Sequence, residues 1–197
     1  MDVKTYATIV DLSGRFAGRL SDTVLDAVRT HYYAGEEVIA ESALLLGLAF
    51  EGVGVTQEEH DLVRSILDDQ DNPDLDAVTV IDEVPAPAYR FGPTAPPDAP
   101  NPARADEVLA AEASKHSANR LLRTWREPLN GSHGGPLWLY LPVVTPDGDE
   151  LRAYSGISSR LWVTLHEKWQ IEPVTEGRVL PPYLSAAVSG SIAVWLA

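Results

Sequence analysis

Residues 85–102 read "PAPAYRFGPTAPPDAPNP" and carry seven of the chain's fifteen prolines. Each proline fixes φ and removes a backbone donor, so this stretch is expected as an extended connector rather than a core element. In a chain of 197 residues, enough for one medium domain or two small ones, it marks the natural divide. The expected organisation is an acidic helical module over 1–84, a connector over 85–102 and a small α/β module over 103–197. The fold class is α+β. Tyr89 and Phe91 should pin part of the connector to a domain.

The charge balance changes at the same place. Residues 1–100 hold 19 Asp and Glu against 6 Lys and Arg, whereas residues 101–197 hold 10 against 9. An acidic half beside a neutral one argues against nucleic acid as a partner, because a basic face must neutralise phosphates. It argues equally against an anionic membrane surface. The C-terminal "YLSAAVSGSIAVWLA" would span roughly 22 Å as a helix, short of a hydrocarbon core of ~30 Å, so a buried helix is expected there. "MDVK" lacks the charged-then-apolar run of a secretory signal. With no cysteine there is no disulfide framework, thiolate nucleophile or zinc-thiolate site, which fits a reducing, cytoplasmic setting.

Apolar spacing in the first module predicts helices throughout. Tyr6, Ile9, Val10, Ser13 and Phe16 recur at intervals of three and four. Ser21 can cap a second helix, with Leu20 and Leu25 as a hydrophobic staple and Val24, Val28 and Tyr32 along its face. The third, over 36–50, is apolar almost all round and is expected at the centre of the bundle. Thr56 and Glu59 form a capping box for a fourth that buries Leu62, Val63, Ile66 and Leu67. A short β-like run, "AVTVI", follows.

The second module alternates. "ARADEVLAAEASKHSANRLLRTWR" reads as one long helix ending before Pro128, and "PLWLYLPVV" as a buried strand. A helix with Leu151, Tyr154, Leu161 and Leu165 on one side, a strand "WQIEPVT" and a closing helix from Pro181 or Pro182 complete it. Strand, helix, strand, helix suggests a right-handed βαβ unit.

Chemical signatures are sparse. "SILDDQDNPDLDAV", 65–78, has five carboxylates and no base. Read as an EF-hand loop from Asp68, it puts Pro73 where glycine is needed and Thr79 where glutamate is needed; from Asp69, Pro73 and Val80 fail. No metal or cofactor is expected. Glu58, Glu59 and Asp61 beside His60 are better read as acids complementing a helix dipole than as an acid–base pair. "NGSHGGP", 130–136, could present amides to an oxyanion, but no G-x-S-x-G elbow, P-loop or GxGxxG accompanies it. His31, His116 and His166 lack ligand spacing. The five tryptophans, 125, 138, 162, 169 and 195, fit a core better than a ligand stack. The expectation is therefore a protein that is not an enzyme.

The stretch "LSDTVLDAVRTHYYAGEEVIAESALLLGLAFEGVGVTQEEHDLVRSIL", 20–67, resembles the helical module of small bacterial immunity proteins of the MafI type. The likeness rests on a helix meeting Gly35-Glu36, a second apolar helix, a turn with Val53 and Val55, and the Thr-x-x-Glu helix start. The acidic and aromatic residues usual after the second helix are present only as Phe50-Glu51. "TWREP" and "LPPYLSAAVSGSIAVW" resemble a group of uncharacterised actinobacterial proteins, which imply no function. The first resemblance implies an immunity or antitoxin-like inhibitor that meets a basic toxin through carboxylates. Glu58, Glu59, Asp68, Asp69, Asp71, Asp74 and Asp76 are the expected contact surface. The alternative is a structural or scaffold protein that self-associates through its C-terminal half. Oligomeric state is left open.

Overall fold

The computed structural model describes residues 2–167 and 169–197. It has seven α-helices among them and a six-stranded mixed sheet, an α+β fold with the helices of the first half preceding the strands. The chain divides into two compact units, Met1–Pro87 and Ala88–Ala197. The break thus falls at the start of the proline-rich stretch, whose remainder belongs to the second unit.

The first unit is built from α1 (Val3–Phe16), α2 (Asp22–Ala34), α3 (Glu37–Phe50) and α4 (Gln57–Ile66). Local chemistry sets their ends. The Asp2 carboxylate accepts from the Thr5 amide at 2.8 Å, and Ser21 caps α2. Gly35 closes α2 at φ +77°, the left-handed region that glycine enters without Cβ strain. Thr56 and Glu59 form the expected reciprocal capping box at α4. The rows Ile9, Phe16, Leu25, Val28, Tyr32 and Leu44 meet in the core. The β-like run contributes one parallel bridge, Val55 to Val80.

One helix departs from expectation. α3 is not enclosed: Ala40, Leu44, Leu45 and Leu48 are buried, whereas Val38, Ile39, Leu46 and Phe50 face solvent. Uniform apolarity marks a helix as buried but cannot say that only part of its circumference is covered.

The second unit is organised on the sheet. β2 (Ala118–Pro128) pairs antiparallel with β3 (Leu137–Val144), and its other edge is shared by β1 (Tyr89–Gly92) and β6 (Ile192–Leu196). β4 (Gln170–Ile171) and β5 (Val174–Thr175) both run parallel to β3 and follow α6 (Glu150–Leu165), which gives the expected βαβ connection. Pro173 interrupts what was read as one strand. α5 (Ala103–Ala113) and α6 pack on the sheet, where Leu109, Ile157 and Leu161 are buried against Leu121 and Tyr140. α7 (Pro182–Ser189) packs on β1 and β2.

Three expectations for this unit are corrected. The connector holds a strand, β1, and Trp138 and Tyr140 bond the Pro100 and Pro102 carbonyls, so proline-rich chain becomes part of the sheet's cover. The long helix ends at Ala113; after a 3-10 turn, Ser117 enters the left-handed region at φ +59° and residues 118–128 become the central strand. The closing helix stops at Ser189 and its second half is β6. Of the tryptophans, Trp125 and Trp138 are buried edge to face, 5.3 Å between centroids, while Trp162 is exposed.

Candidate protein-binding surface

The acidic segment after α4 is anchored from below. Leu67, Leu75 and Val78 are buried, so the backbone between them arches over the core and turns its polar side chains outward. Asx turns shape the arch: Asp69 Oδ1 accepts from the Asp71 amide at 3.0 Å, and Asn72 Oδ1 from the Asp74 amide at 2.9 Å. Pro73 then begins a 3-10 turn, Pro73–Ala77. Asp68, Asp69, Asp71, Asp74 and Asp76 are all exposed.

The seven expected contact residues therefore do not form one patch. Glu59 is a correction: it is 1% exposed and cannot touch a partner. Its two oxygens accept from the two terminal guanidinium nitrogens of Arg19, at 2.6 and 3.1 Å, while Thr56 donates its amide to Oε2 at 2.9 Å. Glu58 is exposed but lies at the opposite end of α4 from Asp68, about 15 Å along the axis, and is paired with Arg15 at 2.8 Å. Five aspartates remain as a group.

One buried carboxylate lies under this group. Glu41 of α3 accepts from the Asp68 amide at 3.2 Å. Burial raises its pKa; the Asp68 amide pulls the other way, and the charges of Asp68 and Glu37 add to the rise. The Asp68 amide thus ties the start of the acidic segment to α3, and the 3-10 turn packs against the same helix.

Other candidate chemistry is committed to structure. In the Gly-rich loop, Gly134 donates its amide to the Tyr89 hydroxyl at 2.8 Å and Ser132 donates its own to the Leu129 carbonyl, so both amides serve the fold. Gly135 accepts from Arg126, which is fully buried and stacks on the Tyr89 ring. His116 lies 3.2 Å from Glu112, and His31 lies 2.6 Å from Glu36. Asp106 links Tyr140 and Arg123, with Arg123 over the Trp138 ring. Among the described residues, no group of three or more His, Asp or Glu is placed to hold a metal ion. No helix among them is long and apolar enough to cross a membrane.

Compared with known proteins, the chain matches no family model, and no curated protein or solved structure is significantly similar to it. The outward face of α3 was missed by sequence reasoning. The sequence carries no signal for it, because charge is absent alike from the exposed positions 38, 39, 42, 46 and 50 and from the buried positions 40, 44, 45 and 48.

Proposed function

We propose that this is a non-enzymatic, cytoplasmic protein that binds a basic protein, acting as an immunity or antitoxin-like inhibitor of a cationic toxin. The observation that carries the reading is the segregation of charge. The first unit holds 18 carboxylates against 5 bases, the second 11 against 10. The five aspartates of 68–76 stand exposed on a stretch without a base. Such a field speeds encounter with a cationic surface and excludes anionic ones. The resemblance of residues 20–67 to MafI-type proteins points the same way.

The test uses the intact chain as bait at low and high salt. A basic protein retained at low salt, released by salt and relieved of its toxicity by co-expression is the expected result. Reversal of Asp68, Asp71, Asp74 and Asp76 to lysine, sparing Asp69 because it shapes the turn, should slow association and flatten its salt dependence. Unchanged binding after reversal would remove this surface from the proposal.

One observation favours self-association as a second reading. β6 pairs with β2 on one side, and the sequence from Ser189 to Ala197 has neither charge nor proline to blunt an edge. Light scattering on the intact chain separates the two. A concentration-dependent dimer that Leu196→Lys returns to monomer supports the scaffold.

A further inference from the structure

The outward arc of α3 is the least expected surface of the acidic unit. Phe50 is 94% exposed, Val38 67%, Leu46 56% and Ile39 50%. With Ser42 between them, Val38, Leu46 and Phe50 follow the i, i+4 row of the helix and form one stripe about 18 Å long. The seven positions of this arc are Val, Ile, Ser, Ala, Leu, Ala and Phe, without a charge among them. Solvent-facing helix positions in an acidic unit ordinarily carry its charge, and an uncharged, largely apolar stripe in their place marks an interaction site.

The stripe has a charged border. Glu41 lies about 60° round the helix from Val38, and its carboxylate holds the Asp68 amide at the start of the acidic segment. The 3-10 turn that carries Asp74 and Asp76 packs on α3 as well. The arc is thus bordered on its Val38 side by the exposed aspartates that begin where Glu41 holds the Asp68 amide, with Leu46 and Phe50 farther round, about 140° and 180° from Glu41. A second copy of this chain is a poor occupant, because face-to-face α3 helices would bring two acidic borders together. The complementary occupant is apolar on one face and basic on the adjoining one.

We propose that the α3 arc seats an amphipathic helix of a partner protein, with apolar side chains on Val38, Leu46 and Phe50 and lysines or arginines toward the aspartates of 68–76. This rests on the basic-partner reading and gives it a docking mode: the apolar row holds the partner while the carboxylates attract and orient it. A partner segment of about twelve residues, three helical turns, matches the stripe.

The probe is a labelled 18-residue Leu/Lys peptide with helical apolar periodicity, compared with a scrambled peptide of the same composition and a Leu/Glu peptide of the same pattern. Anisotropy titrations are run on the wild-type chain, on Val38→Ser/Leu46→Ser/Phe50→Ser, and on the four-aspartate reversal. Circular dichroism verifies that each variant is folded; the three apolar positions are exposed, so the fold should survive. The patterned Leu/Lys peptide is expected to bind wild type best. The apolar variant should weaken it by about tenfold or more without changing its salt dependence, and the reversal should weaken it and flatten that dependence. Equal binding of the scrambled peptide, or an apolar variant that binds as wild type, overturns the seat while leaving the basic-partner reading in place. Equal binding of the Leu/Glu peptide overturns both. A wild-type dimer by light scattering that the apolar variant dissolves also overturns the proposal, by giving the arc to a second copy.

Discussion

Arg19 and Glu59 are both withdrawn from solvent, with side chains 10% and 1% exposed, and their bond is bidentate. Removing one charge of such a pair leaves the other buried and uncompensated. Glu59→Gln should therefore destabilise the chain by about 3–5 kcal/mol, measured by urea denaturation. A loss below about 1 kcal/mol would mean that water reaches Arg19 freely. The capping box was legible in the sequence, but the second use of Glu59 was not, because Arg19 lies forty residues away. A substitution at Glu59 designed to test binding would thus report on folding. For Glu41 the charged form is the unfavourable one, because burial raises its pKa. Its raised pKa favours folding fully only where the carboxyl is protonated in both states, below about pH 4.5. That contribution is lost as pH rises through the folded pKa. Glu41→Gln keeps an acceptor for the Asp68 amide and removes the charge. It should raise the thermal midpoint near pH 7, with the gap to wild type closing near pH 4; a gap independent of pH would show that the charge is not the cause.

Elements were legible where their own residues decide them. All four helices of the first unit, the strand 137–144 and the βαβ connection follow from periodicity and caps. Residues 118–128 mimic a helix, since Leu121, Leu122 and Trp125 fall at intervals of three and four, and Arg120, Arg123 and Arg126 every third residue. Pairing with three other strands overrides that period, and Ser117 in the left-handed region leaves no glycine to mark the break. The junction of α7 and β6 did carry a signal, Gly190 before Ile192, Val194 and Trp195. The glycine is needed there for space. A Cβ at Gly190 would lie 2.8 Å from the Phe91 Cβ and 2.9 Å from its carbonyl. The Thr124 hydroxyl sits 3.1 Å from both the Gly92 and Gly190 carbonyls, so the junction and β1 meet over one point of β2. Gly190→Ala should push β1 outward and lower the urea midpoint, by about 1–3 kcal/mol in stability. An unchanged midpoint would mean that β1 yields without loss.

At the scale of the whole molecule, composition placed the division of charge and the proline-rich stretch located the break, although residues 88–102 proved to belong with the second unit. The acidic surface was legible as an unusual density of aspartate, whereas the α3 arc beside it depended on which neighbours cover which side. The sheet has a consequence in time. Its central strand, 118–128, waits for partners at 89–92 and 192–196, so the second unit closes longer loops than the first, where α2 packs on its neighbour α3 and α1 closes onto α4. Chains rich in distant pairings fold more slowly than chains of local ones. All five tryptophans lie in the second unit, and they report its progress alone. On dilution from denaturant, ellipticity at 222 nm should recover in an early phase that tryptophan fluorescence does not see, and the fluorescence should follow later. Coincident phases would mean that the two units fold as one. If they separate, the acidic surface is finished while the sheet is still searching for its last strand.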